Sequence, residues 1–244
     1  MVDQKKHWDN SAKLGNLASV IDPNDTKGFK NQYIAYLRDE AIRSVLPHQK
    51  ILVMDFGCGS GNLCQTFASG ECYMVGIDIS FNLLKLAVQQ NDPDRTAFIQ
   101  YDGTVPPFKD GCFDYIITYG VLIHIVDNGQ LTEILKKLKD LLKNDGKCVF
   151  IEQTRRFSTH THNNFKYQRN VSEMAGLFHD AGLSTEKIEH LRRARFPLIY
   201  LIRYGLIPAR YFKQVAKLDG FLARCFNKPV FSYVDTMFVL KKSS

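Results

Sequence analysis

Two carboxylates and three glycines carry the most specific chemistry in this chain. Asp55 closes the apolar run VMDF, and Gly57, Gly59 and Gly61 follow at alternate positions in the turn GCGSG. A turn without Cβ atoms reaches backbone conformations closed to other residues, and a ligand can lie directly against its main chain. Asp78 ends the next apolar run a little over 20 residues on, where a strand-end carboxylate accepts two hydrogen bonds from a ribose diol. Together they point to a nucleoside. The spacing is GxGxG, because Asn62 stands where a dinucleotide fingerprint has its third glycine. Asp55 would also repel a pyrophosphate while suiting a cationic amine. A nicotinamide dehydrogenase is disfavoured on both counts.

The elements around these residues are legible from periodicity. ILVMDF (51–56), CYMVGIDIS (72–80), TAFIQYD (96–102), CFDYIITYG (112–120) and KCVFIEQ (147–153) read as strands. Amphipathic helices alternate with them. FNLLKLAVQQ places Leu83, Leu84, Ala87 and Val88 on one face. GQLTEILKKLKDLLKNDG has a stripe of Leu131, Ile134, Leu135, Leu138, Leu141 and Leu142, with Gly146 as its expected C-terminal stop. Strands apolar on both faces, separated by helices, predict a doubly wound α/β sheet covered on both sides. Residues 1–27 read as a polar lead, followed by a helix from Gly28 to Leu46 that Pro47 ends. After residue 153 come a polar loop, RRFSTHTHNNFKYQRN, a helix, VSEMAGLFHDAGL, a sixth strand, STEKIEHLRR, and a seventh, SYVDTMFVLKK. A segment from about 192 to 229 interrupts the last two. One domain over 1–244 is expected, with a helical cap (1–46), a cofactor-binding core (47–153) and a substrate-side part (154–244).

In this context VMDFGCGSGNL resembles motif I of the class I S-adenosylmethionine-dependent methyltransferases. VGIDIS resembles their acidic ribose-binding motif, and YDGTVPPFKDGCFDYIITYGVLIHIVD resembles the adenine-contacting acid, the proline-containing loop and the fourth strand, in order. The resemblance covers roughly residues 30–190 and 231–241. It implies a doubly wound, seven-stranded Rossmann-like sheet with an antiparallel end, an N-terminal helical lid and a helical insertion before the last strand. Its cofactor would be S-adenosylmethionine. Carried over by position, Asp55, Gly57, Cys58, Gly59 and Gly61 would surround the methionine part and Asp78 the ribose. Ile79 would pack on the adenine, Asp102 and Gly103 would meet its amino group, and Tyr119 and Val121 would line the sulfonium end. Phe29 or Tyr33 could lid the pocket by the same resemblance, but plain helix core is the favoured reading of both.

The resemblance also puts His124, in GVLIHI, where small-molecule members carry a histidine near the acceptor. A neutral imidazole suits removal of a hydroxyl proton; a histidine that only tethers a loop is the other reading. Glu152, ending the fifth strand, is a second candidate for acid, base or substrate hydrogen bonding. His160 and His162 read as either solvated or substrate-facing. The six cysteines form no CxxC pair, which predicts reduced thiols and no metal site.

The acceptor is less defined. NPPY, DPPY and Pro-Cys dipeptides are absent, which argues against DNA. The charge of +7, from 32 Lys+Arg against 25 Asp+Glu, keeps RNA open as an alternative. Between 192 and 229, Phe196, Tyr200, Tyr204, Tyr211 and Phe212 interleave with Arg193, Arg195, Arg203, Arg210, Lys213 and Lys217. That mixture suits contact with anionic lipid, or a lid over substrate. The favoured reading is oxygen methylation of a sugar, glycan or other small hydroxyl, including a lipid-linked one. A non-catalytic S-adenosylmethionine-binding protein is the remaining rival. With no secretory signal and no apolar run of about 20 residues, the expected location is the cytoplasm, with peripheral membrane contact.

Overall fold

The computed structural model describes residues 3–69, 72–104, 106–161, 164–194, 196–225 and 233–243. His162, Arg195, residues 226–229 of the insertion and Ser232 of the expected last strand lie outside them.

Strands β1 (Ile51–Phe56), β2 (Cys72–Asp78), β3 (Thr96–Gln100), β4 (Phe113–Tyr119) and β5 (Leu142–Thr154) run parallel. A short antiparallel hairpin, β6 (Thr159–Thr161) and β7 (Lys166–Gln168), stands apart from the sheet. β8 (Leu183–Arg193) and β9 (Val234–Lys242) complete it, and β9 lies antiparallel to both β5 and β8. The order is β3-β2-β1-β4-β5-β9-β8. Strand order therefore reverses between β1 and β4, and the crevice beyond their carboxyl ends is where such a sheet binds ligands.

The helices in chain order are α1 (Gln4–Ser11), α2 (Asn16–Val20), α3 (Phe29–Arg43), α4 (Asn62–Phe67), α5 (Phe81–Gln90), α6 (Asn128–Leu141), α7 (Val171–Asp180), α8 (Leu198–Arg203) and α9 (Phe212–Cys225). Alternation along β1 divides the core. Met54 and Phe56 pack with Leu131, Leu135 and Leu138 of α6 and Phe178 of α7 on one face. Ile51 and Val53 pack with Ala41 and Ile42 of α3 and with Leu63 and Phe67 of α4 on the other. Side-chain caps fix where the helices begin: Ser80 accepts from Leu83 N, Asp127 from Gln130 N and Asn170 from Glu173 N.

Several local expectations change. Residues 1–27 contain α1 and α2 as well as polar loop. RRFSTHTHNNFKYQRN contains the β6–β7 hairpin, in which His160 stacks outward on Tyr167. Val88 is exposed and does not join Leu83, Leu84 and Ala87. α6 ends at Leu141, Leu142 opens β5, and Gly146 lies inside that strand. A Cβ there would stand 2.9 Å from Phe113 O, so its bareness serves strand approach rather than a helix stop. The expected insertion is helical: α8 and α9 pack Ile199, Ile202, Phe212 and Val215 against Tyr33 and Leu37 of α3, a third core. Tyr33 is fully buried there and donates to Asp219, while Phe29 packs beside Gly205. Neither residue lids the crevice.

Candidate active site

A cavity of about 770 Å³ opens beyond β1, β2 and β4. Its floor is the glycine turn. Gly57, at φ +75°, would put a Cβ 2.5 Å from Val121, and Gly59, at φ +53°, one 2.6 Å from Val20. Any side chain at either position would collide with the valine that packs there. Asp78 lies at the end of β2 with Oδ2 accepting from Gly59 N and Oδ1 from Ser80 N, both at 2.8 Å. Burial lifts its pKa to about 6 against those bonds. Ile79, Tyr101, Asp102 and Gly103 continue the wall. Asp102 is exposed, its carboxylate held by Thr104 N (2.9 Å) and Oγ1 (2.6 Å).

Not every predicted contact reaches the cavity. Cys58 is buried with its sulfur turned to Gly76, where a Cβ would meet it at 2.8 Å. Its contribution is a backbone bond to Ile77 O. Gly61, at φ +77°, opens α4 and faces Ala87 and Asn91 of α5. Asp55 is buried behind the turn with a long contact from Cys64 Sγ at 3.9 Å. Burial raises it to about 7, while Arg38 pulls the other way. A carboxylate held this high by desolvation gains most from a cation brought to it.

At the far end of the cavity stand Tyr119, Gly120, Val121 and His124. The loop after β4 that carries His124 is gripped from both sides. Glu152, 1% exposed, accepts from Val121 N and Leu122 N at Oε1, from Ile123 N at Oε2 and from Thr118 Oγ1. Arg169, equally buried, donates to the carbonyls of Leu122, Ile125 and Val126 and to Asn128 Oδ1. Both carboxylate oxygens of Glu152 are thus committed to the loop, and the residue does not line the cavity. This corrects the expectation of an acid or base at that position. Burial raises its pKa to about 7, and the loop N–H groups oppose the rise. We expect Glu152→Gln, which turns an N–H₂ toward these donors, to cost about 1–3 kcal/mol of stability. It should also lower kcat while leaving cofactor affinity within about threefold, as thermal unfolding and single-turnover rates would report.

His124 Nδ1 lies 3.2 Å from Phe165 O. A carbonyl only accepts, so the bond puts the proton on Nδ1 and the lone pair on Nε2. The ring is boxed edge-on by Trp8 at 5.1 Å and by Phe165 at 4.7 Å. Trp8 belongs to α1, which the sequence reading missed. Asp3 caps this helix, Gln4 Nε2 donates to His124 O (3.3 Å), and Asp9 Oδ1 accepts from Ser80 Oγ (2.7 Å) and Asn82 N (3.1 Å). One short helix therefore closes the cavity over both the Asp78 end and the His124 end. The readable signal was Asp3 as a cap ahead of the chain's single tryptophan. Because Trp8 is the only indole and lines the cavity, binding of S-adenosylhomocysteine should change its emission, and Trp8→Phe should abolish the change without abolishing calorimetric binding.

Among the described residues no group of three His, Cys, Asp or Glu is arranged to hold a metal ion. The bare glycine turn, the carboxylate at the end of β2 and the buried acid behind the turn fit S-adenosylmethionine. Residues 53–146 match a family described as a methyltransferase domain. The chain is 26% identical over 164 residues to phosphoethanolamine N-methyltransferase 2 of Caenorhabditis elegans, covering 63% of this chain and 37% of that protein. It is 30% identical over 125 residues to a ubiquinone biosynthesis O-methyltransferase of Bradyrhizobium diazoefficiens, covering 48% of each. The chain thus spans less than half the length of either relative. A chain of the complex between the Haloferax volcanii Trm112 methyltransferase activator and a methyltransferase has the same fold, with a TM-score of 0.66 at 18% identity over 97% of this chain and 98% of that one. The likeness to a methyltransferase domain thus covers residues 53–146, and the fold it belongs to extends over nearly the whole chain.

Proposed function

We propose that the protein transfers a methyl group to the hydroxyl of a small acceptor, with His124 as general base. The observation carrying this reading is the orientation of His124: Nδ1 is tied to Phe165 O, and the ring forms the cavity wall beside Tyr119 and Val121. A base with its lone pair fixed on Nε2 takes the acceptor proton as the new C–O bond forms. When bound, the cofactor supplies a methyl group on a sulfonium, open to in-line displacement. Asp78 would hold its ribose and Asp102 with Gly103 its adenine, while Asp55, buried behind the turn, would attract its ammonium through space without touching it. Glu152 and Arg169 would act as positioning residues through the loop they grip, which keeps the base in place at no cost during reaction. The ubiquinone-type relative, an O-methyltransferase by name, supports a hydroxyl acceptor. Phenols of quinone precursors and sugar hydroxyls, including lipid-linked ones, are the acceptor classes proposed.

Nitrogen methylation is the second reading, favoured by the Trp8 and Phe165 rings around His124, which also suit an amine cation, and by the phosphoethanolamine relative. The test is formation of S-adenosylhomocysteine with a panel of a catechol, a sugar, phosphoethanolamine and RNA. Turnover on a hydroxyl acceptor that His124→Ala abolishes supports the proposal. Turnover only on the amine, or on RNA, replaces it. Cofactor binding without turnover on any acceptor would make the protein a cofactor sensor.

A further inference from the structure

Half of the large hydrophobic side chains exposed among the described residues lie between Tyr200 and Phe221. Tyr204 and Leu206, at the tip joining α8 to α9, are 64% and 69% exposed, and Phe221 on α9 is 61% exposed. At about 100° per residue, Leu218 and Phe221 lie about 60° apart on the outer side of α9, and the exposed Tyr211 stands in the turn just before it. Lys213 and Lys217 lie about 40° apart on the adjoining sector, and Arg210 belongs to the same preceding turn as Tyr211. On the side away from Lys213 and Lys217, Phe212 and Val215 are buried against α3. In residues 196–225 the only carboxylate is Asp219, and it is buried, accepting from Tyr33 Oη and Arg193 N. The outer face therefore presents apolar and aromatic groups bordered by cations, with no acid on it.

We infer that this face of α8, the tip and α9 docks on an anionic lipid surface. Aliphatic side chains such as Leu206 and Leu218 gain by entering the acyl boundary, while flanking lysines and arginines reach lipid headgroups. Charge complementarity selects this occupant, since each basic side chain near an anionic leaflet adds attraction and the only carboxylate in residues 196–225 is buried. No helix among the described residues is long and apolar enough to cross a membrane, so contact is at the surface. The tip also connects to the cavity. Arg203 donates to Asn24 O and Gly205 packs against Phe29, and at the other end of that segment Val20 covers Gly59. A membrane under the tip would lie one segment away from the cavity floor, a suitable station for an acceptor drawn from lipid. The docking itself does not depend on the proposed reaction.

Flotation with phosphatidylcholine vesicles, with and without phosphatidylserine, tests it. The wild-type chain should float with the anionic vesicles. The pairs Leu206→Ser/Phe221→Ser and Lys213→Glu/Lys217→Glu should each cut the bound fraction about tenfold or more, with the Trp8 response to S-adenosylhomocysteine unchanged as proof of folding. Absence of flotation, or flotation that neither pair weakens, overturns the inference. So does a concentration-dependent dimer that the serine pair dissolves without any vesicle binding, or an RNA complex that only the charge pair removes.

Discussion

Replacing Asp78 with alanine should weaken S-adenosylhomocysteine binding by about a hundredfold or more. Each hydrogen bond from a ribose hydroxyl to a buried carboxylate contributes about 1.5–3 kcal/mol, and 1.4 kcal/mol is a factor of ten. The variant also strips Gly59 N and Ser80 N of their acceptor, so the glycine turn loosens as well. Asp102→Ala removes an exposed carboxylate already engaged by Thr104 and should cost about tenfold or less. Calorimetric titration distinguishes the two. Asp78 and Asp55 set a pH dependence with opposite signs for binding and stability. Burial holds Asp78 at about 6 and Asp55 at about 7 in the unliganded protein. A ligand that donates hydrogen bonds and carries an ammonium favours their charged forms, so affinity should fall as pH drops from 8 through 7 and 6. For folding, pKa values raised above those of the unfolded chain give a contribution present in full below about pH 4 and lost as pH rises through 6 and 7. A melting temperature without ligand that rises with pH over 6.5–8 would contradict this reading of both groups.

His124→Ala should lower the methyl-transfer rate by about 10²–10⁴-fold while S-adenosylhomocysteine affinity stays within about threefold. The separation follows from position: His124 lies at the Tyr119 and Val121 end of the cavity, away from the Asp78 carboxylate and the glycine turn. Single-turnover rates with saturating cofactor measure the first quantity and Trp8 emission the second, although the indole borders the imidazole, so calorimetry is the safer readout in this variant. A rate within threefold of wild type would reduce His124 to a tether between the loop and Phe165. His124→Gln adds a second criterion, because an amide can keep a bond to Phe165 O but cannot take the proton. Restored folding with no restored rate identifies proton transfer; restored rate identifies positioning.

What periodicity can encode, the sequence displayed. Runs such as ILVMDF are apolar on both faces, so the parallel strands, the turn after the first and the acid after the second followed without coordinates. α1 escaped because none of its residues is buried; a helix that touches the protein through Gln4, Trp8 and Asp9 leaves no apolar stripe. Glu152 was placed at the correct strand end but given the wrong occupation, because bonds to loop N–H groups depend on which backbone arrives there, and backbone carries no residue code. Arg169 went unremarked for the same reason, reading as one more cation in a polar loop. Gly146 misled because a glycine after periodic leucines ordinarily marks a helix end, whereas here it admits the Phe113 carbonyl.

The positions of α1 and β9 at opposite edges of the sheet have a practical consequence. α1 begins next to Asp3 and Gln4, which form part of the cavity rim, while Lys241 of β9 pairs with Lys147 near the amino-terminal side of β5, across the sheet from the crevice. An affinity handle fused ahead of Asp3 would hang over the cavity and compete with the contacts of Gln4 and Trp8. One fused behind Lys242 would emerge at the remote edge, so preparations tagged at the two ends should differ in cofactor affinity though their folds are the same.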